Sequence, residues 1–466
     1  MREKESRGHV LVIPFPGQGH LNPMLQFSRR LVSKGLQVTF IVTTYISRSK
    51  HLVSSSNRLL QFDTISDGYD EGGFEQASSM GAYLSSIHTV GPRTLKELIA
   101  KYQSSSNPID CLIYEPFLSW ALDIAKQFGL IAAAFFTHAC AVDYVFYSFY
   151  RKMVPVPDVN SSSMPVLIEG LPPLELQDLP TFIVLPEAYP ANAEMIKRQF
   201  SNVDKADYIL VNTFYKLEYQ VVDTMSTLCP LLTIGPTIPS SYSDKRIENE
   251  DDYGIDLYEA NASIPITWLS TKPTGSVVYV SFGSIANNLS EKQMEEVAWG
   301  LKRSNFYFLW VVKNSEEHKL PKGYVEEVAP KGLIVNWSPQ VKILTNESIG
   351  CFFTHCGWNS TIEALSLGVP MVTLPQWSDQ PTNSKFVEDV WRVGIRVKVD
   401  ADNGIAKRDQ IEYCIKEVME SVRGKEMKEN SKKWKELAVE AISEGGTSDK
   451  NIDELVFKVT KFKSLY

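Results

Sequence analysis

Two stretches of this chain put reactive side chains where an apolar run gives way to a helical pattern. The first, PFPGQGHLNPM (Pro14 to Met24), carries His20 just beyond Gly17 and Gly19. An imidazole exchanges a proton near neutral pH, and the start of a helix opposes its charged form, so a histidine there suits general-base chemistry. A purely structural histidine fits the same local pattern. A dinucleotide-binding turn would also sit here, but it needs more glycine. Position 22 is Asn22, and the next strand ends in FIVTTYIS without the acidic residue that holds a ribose.

The second stretch is HCGWNS, His355 to Ser360. It ends the apolar strand GCFFTH, turns at Gly357 and opens the helical NSTIEAL. His355, Asn359 and Ser360 then stand at a helix N-terminus, where backbone N–H groups and the helix dipole attract anions. Ser360 is equally suited to be a simple N-terminal cap.

Elements must hold these residues in place. His9 to Phe15 reads as a buried strand. A helix follows from about His20 to Lys34, with Leu21, Leu25, Phe27 and Leu31 at near-helical spacing and Gly35 as its stop. LQVTFIVT completes a βαβ unit, and IDCLIYE and LIAAAFF continue the alternation, so the first half is predicted to be α/β with a parallel sheet. KMVPVPDVNSSSMPVLIEGLPPLELQDLP is a loop-rich excursion. ADYILVNTF returns to strand, and the polar stretch from Pro236 to Gly254 reads as a linker. Beyond it, SVVYVSFGS, YFLWVV, GLIVNW, GCFFTH and VPMVTLP are short buried strands. SEKQMEEVAWGLKRS is a helix opening with Ser290 and Gln293 in capping-box spacing, and the tail from Arg408 is mostly amphipathic helix.

At 466 residues the chain exceeds one ordinary core, so two domains are expected. Its 44% hydrophobic and 22% charged residues are ordinary for a globular protein. A net charge of −8 argues against a general nucleic-acid or anionic-membrane surface, while permitting a local pocket for one phosphorylated ligand. MREKESRGHVLVIPF has too short an apolar run for a signal peptide, and no stretch reaches the roughly 18–20 apolar residues that span a bilayer. A cytoplasmic location is expected. Cys111, Cys140, Cys229, Cys351, Cys356 and Cys414 are scattered without CxxC pairs, which suits reduced thiols rather than a metal site.

The segment from Trp337 to Gln380, WSPQVKILTNESIGCFFTHCGWNSTIEALSLGVPMVTLPQWSDQ, resembles the signature box of plant secondary-product glycosyltransferases, which use uridine-diphosphate sugars. The match runs through HCGWNS, Glu363, GVP and the closing DQ. PGQGH, SFGS and the overall length are similar too. The resemblance implies an α/β fold of two facing Rossmann-like domains (GT-B type) with a cleft between them. Residues 1–240 would hold the acceptor, 241–260 the linker, 261–445 the UDP-sugar, and 446–466 a C-terminal helix packing back on the first domain. By matching positions, it implies Trp337 under uracil, Ser338 meeting the base through its backbone, and Gln340 and Glu363 on the ribose. Ser284, His355, Asn359 and Ser360 would hold the diphosphate, and Trp358, Asp379 and Gln380 would line the sugar. A flat indole suits a base, a carboxylate accepts from a diol, and short donors suit phosphate oxygens. Taken singly, Trp337 would be core and Glu363 a solvated helix face. Gln380 is associated with glucose, so UDP-glucose is the expected donor.

The resemblance also assigns His20 as general base, whose usual partner is an Asp that fixes the tautomer and stabilises the imidazolium. The matching position in CLIYEPFLSWALDIA is Glu115, which keeps the charge but adds a methylene and a rotatable bond. Asp110 is the nearest acidic alternative, and a solvated loop residue is the plain reading of Glu115. Thr137 matches a position reaching the transferred sugar. His138 departs from the common Gln, Asn346 replaces a frequent histidine, and Thr267 replaces a frequent Cys. Aromatic residues Phe117, Trp120, Phe136, Tyr144 and Tyr147 are candidates for the acceptor pocket, although helical spacing makes some of them core.

The expected activity is inverting glucosyl transfer to a hydroxyl or carboxyl oxygen of a lipophilic phenolic, aromatic acid, terpenoid or steroid, giving a β-glucoside. No permanently bound cofactor and no metal are expected: no Asp-x-Asp motif is evident near the box, and a helix N-terminus can meet the leaving charge. A monomer without a nucleic-acid partner is expected. The competing readings are a non-catalytic nucleotide-sugar binder, which would have no use for His20, and an NAD-dependent oxidoreductase, which the first loop does not suit.

Overall fold

The short runs of Val, Ile, Leu and Phe fold as parallel strands in two separate sheets. The computed structural model describes residues 7–50, 59–156, 164–247, 255, 263–283, 289–400 and 402–463. The chain divides into two units. The first takes in Met1–Pro173, Phe182–Leu257 and Glu440–Tyr466, and the second Leu174–Thr181 and Tyr258–Val439.

In the first unit, β1 (His9–Ile13), β2 (Gln37–Thr43), β3 (Leu60–Ile65), β4 (Cys111–Tyr114), β5 (Ile131–Phe136), β6 (Tyr208–Val211) and β7 (Leu231–Thr233) form a sheet ordered β3-β2-β1-β4-β5-β6-β7. Its ladders are parallel. Strands covered on both faces have no wet side, which is why HVLVI, CLIY and IAAAFF are continuously apolar rather than alternating. Strand order reverses around β1, which pairs with β2 on one side and β4 on the other. The carboxyl ends of β1 and β4 therefore flank a topological switch point, the place where open α/β sheets hold ligands.

The helix after β1 spans Gln18–Ser33, two residues earlier than its pattern suggested, and Gly35 leaves it at φ 93°. It buries Leu21, Leu25, Phe27 and Leu31 in a core completed by Ile452, Leu455 and Val459 of the helix Thr447–Lys463. That last helix is also hydrogen-bonded to the sheet side of the unit, from Ser448 Oγ to Gly235 O at 2.6 Å and from Asn451 Nδ2 to Thr233 O at 2.8 Å. Of the sequence read as linker, 248–254 and 256–260 lie outside the described residues. Ahead of them the chain is packed, with Arg30 Nη1 donating to Asp244 Oδ2 at 2.6 Å.

In the second unit, β8 (Val277–Ser281), β9 (Tyr307–Val311), β10 (Gly332–Val335), β11 (Ile349–Thr354), β12 (Met371–Thr373) and β13 (Gly394–Arg396) form a parallel sheet ordered β10-β9-β8-β11-β12-β13. Here the order reverses around β8, and the switch point lies between the ends of β8 and β11. The helix Glu291–Ser304 is capped as its sequence indicates by Ser290, whose Oγ accepts from Gln293 N at 3.2 Å. The reciprocal half of the box is not made, because the Gln293 amide bonds both the N–H and the C=O of Ala406. Leu174–Thr181, read from sequence only as part of a loop, belongs to this second unit. Among the described residues no helix is long and apolar enough to cross a membrane, and the six cysteines are free thiols.

Candidate active site

His20 is the third residue of the helix that leaves β1, in a turn closed by Gly17 N donating to Phe15 O at 2.8 Å. The end of β4 supplies Glu115 beside it. His20 Nδ1 lies 3.5 Å from Glu115 Oε1 and 2.9 Å from Thr137 Oγ1, which follows β5. Glu115 is not a solvated loop residue: its side chain is 2% exposed, against 15% for His20. Its other oxygen, Oε2, accepts from Phe117 N at 3.2 Å and so caps the turn Pro116–Leu118. The backbone thus holds one oxygen while the other faces the imidazole. Asp110 stands at the opposite end of β4, where its Oδ2 accepts from His9 N at 2.8 Å.

Rings wall the histidine. Phe15 and Phe117 lie 5.4 and 5.3 Å from His20 between centroids, and Phe15 meets Tyr83 edge-on at 6.3 Å. Phe117 also reaches His138 at 5.7 Å, whose Nδ1 is 3.3 Å from Asp143 Oδ1. The other rings singled out for the acceptor side have different neighbours. Trp120 packs on Gly91, where an added Cβ would stand 2.7 Å from the indole. Phe136 stacks on Phe200 at 5.8 Å and Tyr147 meets Phe200 edge-on at 5.7 Å, all three lining a small cavity, while Tyr144 is buried. Nothing in the local sequence patterns of Phe15 and Tyr83 marks them as neighbours of the histidine.

In the second unit, β11 ends at Thr354, His355 follows, and Cys356 takes a left-handed φ of 68° before the helix Trp358–Leu367. The cap of this helix is Gly357, without a side-chain bond, so Ser360 lies inside the first turn and is not the cap. His355 is enclosed by two glycines. A Cβ at Gly283 would fall 2.6 Å from its Nε2, and one at Gly357 would fall 2.7 Å from it. Burial lowers the His355 pKa to about 4, so the ring is neutral and offers a single N–H donor.

A partly buried polar chain runs across the same sheet end. Tyr279 on β8 lies 3.0 Å from Ser338 Oγ and donates to Gln340 Oε1 at 3.3 Å. Gln340 Nε2 in turn donates to Ser360 Oγ at 3.0 Å and to Glu363 Oε2 at 2.7 Å. Burial raises the Tyr279 phenol above its ordinary range, which keeps it a donor. The chain fixes the Gln340 amide and the Glu363 carboxylate together, and Trp337 stands half-buried beside it in sequence.

Trp358 is buried with its indole tilted on Trp391 at 6.0 Å, and its backbone N donates to Asp379 Oδ2 at 3.0 Å. The same oxygen accepts from Asn383 Nδ2 at 2.7 Å. Gln380 Oε1 accepts from Gln376 N at 2.8 Å and Trp377 N at 3.1 Å, so the backbone fixes which end of its amide is the oxygen. Ser284 lies outside the described residues. Sequence reasoning missed Tyr279 and Asn383. The first carried a signal, as a phenol inside an otherwise apolar run of valines; the second carried none. The second unit can thus hold an anion at a helix N-terminus beside a neutral imidazole, with a carboxylate and two amides around it, while the first can accept a proton at a carboxylate-backed histidine.

Residues 190–438 match the family model described as UDP-glucoronosyl and UDP-glucosyl transferase, and residues 8–59 match a glycosyltransferase N-terminal domain. The chain is similar to flavonol 7-O-beta-glucosyltransferase UGT74F1 of Arabidopsis thaliana, with 51% identity over 458 residues, 98% of this chain and 99% of that protein. It is similar to mogroside I-E synthase of Siraitia grosvenorii at 42% identity, covering 96% and 97% of the two chains. Among solved structures it is similar to Os79 from O. sativa in complex with UDP, at a TM-score of 0.90 and 37% identity, covering 97% of this chain and 100% of that one.

Proposed function

The chain belongs to the UDP-glucoronosyl and UDP-glucosyl transferase family and is a glycosyltransferase enzyme of GT-B fold, and on that premise we propose that it moves glucose from UDP-glucose to an oxygen of a lipophilic small molecule with inversion. The observation that carries the reading is His20, with Nδ1 engaged by Thr137 and backed by the Glu115 carboxylate. With Nδ1–H directed at these oxygens, Nε2 carries the lone pair. It takes the proton of the acceptor hydroxyl as that oxygen attacks the anomeric carbon. The bond from that carbon to the diphosphate breaks, UDP leaves with the electron pair, and Glu115 stabilises the imidazolium. A carboxylate acceptor arrives ionised and needs the base least.

The donor is assigned to the second unit. Trp337 and Ser338 take the base, and Gln340 and Glu363 the ribose. Ser284, His355, Asn359 and Ser360 take the diphosphate, and Trp358, Asp379 and Gln380 the sugar; Thr137 is assigned to the sugar as well. The N-terminus of the helix Trp358–Leu367 and the neutral His355 meet the charge that develops on the leaving diphosphate, and no metal is assigned a part. The acceptor is assigned to the first unit, where Phe15, Phe117 and Tyr83 give the surroundings of His20 an apolar, aromatic character that suits a flat or polycyclic molecule. The relatives' names, a flavonol glucosyltransferase and a mogroside synthase, support that acceptor class. A cytoplasmic monomer is part of the proposal.

The test is turnover of UDP-glucose with phenols, aromatic acids, triterpenes and steroids, the product being identified by mass and NMR. A β-configured glucoside supports the reading. An α-configured product, or UDP binding without transfer to any class, overturns it.

A further inference from the structure

Residues Leu174–Thr181 leave the first half of the sequence to become part of the second unit, where Asp178 makes several of the bonds. This aspartate is 2% exposed. Its Oδ1 accepts from Arg396 Nη1 at 2.7 Å, its Oδ2 accepts from Glu175 N at 3.0 Å, and Lys385 Nζ lies 3.5 Å from Oδ2. Its carbonyl accepts from Thr382 Oγ1 at 2.6 Å, and Arg396 Nη2 donates to Gln177 O at 2.7 Å. At the end of the segment, Thr181 N donates to Ser378 O at 3.0 Å.

These bonds bracket two residues. Ser378 comes immediately before Asp379 and Gln380, and its φ of 60° is an uncommon conformation for a residue with a side chain. Thr382 and Lys385 lie further along the helix Gln380–Lys385 that Gln380 opens. The segment therefore grips the unfavourable turn on one side of the Asp379–Gln380 pair and the helix on the other. The pair itself is oriented by bonds on either side of this turn: Trp358 N and Asn383 Nδ2 to Asp379, and the N–H groups of Gln376 and Trp377 to Gln380.

We propose that Asp178 is a positioning residue for the sugar end of the donor: its carboxylate, held by Arg396, Glu175 N and Lys385, fixes the segment whose backbone engages Ser378 and Thr382, and so holds Asp379 and Gln380 in register. The inference rests on the assignment of those two residues to the sugar. A merely structural Asp178 would, on substitution, weaken UDP and UDP-glucose alike, because both share the nucleotide. A positioning residue acts on the hexose alone.

The experiment compares the full-length protein with its Asp178→Asn, Asp178→Glu and Thr382→Val variants. UDP affinity is measured by calorimetry, together with KM for UDP-glucose and the preference for UDP-glucose over UDP-galactose. Asp178→Asn is expected to keep UDP affinity within about twofold, raise KM for UDP-glucose about tenfold and lower the hexose preference, with partial recovery in Asp178→Glu. Should Asp178→Asn not fold, Thr382→Val, which loses only the hydroxyl donor, is expected to show the same selective rise. Equal weakening of UDP and UDP-glucose, or folded variants with unchanged KM and preference, overturns the proposal. Asp379→Asn and Gln380→Ala separate the two claims. If these leave KM for UDP-glucose unchanged, the sugar assignment fails; if they raise it while Asp178→Asn does not, only the role of Asp178 fails.

Discussion

Glu115 stands where the family resemblance implies an aspartate, and the geometry around it explains how the longer side chain fits. Capping its own turn draws Oε2 to Phe117 N, which leaves Oε1 at 3.5 Å from His20 Nδ1, while Thr137 Oγ1 makes the shorter approach at 2.9 Å. In the proposed mechanism Thr137 orients the ring and Glu115 supplies the charge. Glu115→Gln, which keeps size and loses charge, is expected to lower kcat by about 10²- to 10⁴-fold, and Thr137→Val by about tenfold, as steady-state rates at saturating donor will read. His355 gives a prediction in pH. Its folded pKa of about 4 lies below the ordinary 6.5, so above pH 6.5 it is neutral in both states and contributes no pH dependence. Between 6.5 and 4 the unfolded chain takes up a proton that the folded one refuses, and stability falls by about 3 kcal/mol before levelling off. Urea midpoints at pH 7 and pH 4.5 are expected to differ less in His355→Gln than in the wild type. His20 and His355 could be read from sequence because each is a reactive side chain at a strand–helix joint. Asp178 and Asn383 could not, since each is ordinary in its own stretch and gains meaning only from partners on other elements.

The joints themselves follow from the strand order. β1 and β4 are neighbours at one switch point and β8 and β11 at the other, so residues after β1 meet residues after β4, and those after β8 meet those after β11. The apolar runs predicted strands and the glycine-bearing turns predicted where the chain leaves them, but neighbour order is a long-range property that no local pattern carries. The capping box shows the same limit: Ser290 caps as its position indicates, while Gln293 is taken by Ala406, which is distant in sequence. Gly357 offers the cleanest test of an element. Its φ of −61° is open to alanine, so Gly357→Ala introduces only the Cβ that would press on His355 Nε2. Overpacking of this kind costs about 1–3 kcal/mol, and UDP affinity is expected to fall by about 5- to 100-fold in calorimetry, with the helical circular dichroism retained.

Among the described residues each sheet has an apolar core, and the first is closed by residues from the far end of the sequence. The amphipathic tail was legible as helix, and its return to the first core was implied by family resemblance rather than by pattern. Leu455, fully buried in that core, provides the check: Leu455→Ala is expected to lower stability by about 2–5 kcal/mol in denaturant melts, while UDP affinity under native conditions stays unchanged. Chemistry is likewise divided between the two units, with proton transfer assigned to the first and charge on the leaving group to the second.

That division turns on His20, and it is read by measuring glucosyl transfer and UDP affinity side by side in His20→Ala. Transfer to a hydroxyl acceptor is expected to fall by about 10²- to 10⁴-fold with the UDP Kd within about twofold of the wild type. A folded His20→Ala enzyme that transfers glucose to a hydroxyl at the wild-type rate would contradict the assignment of His20 as the base.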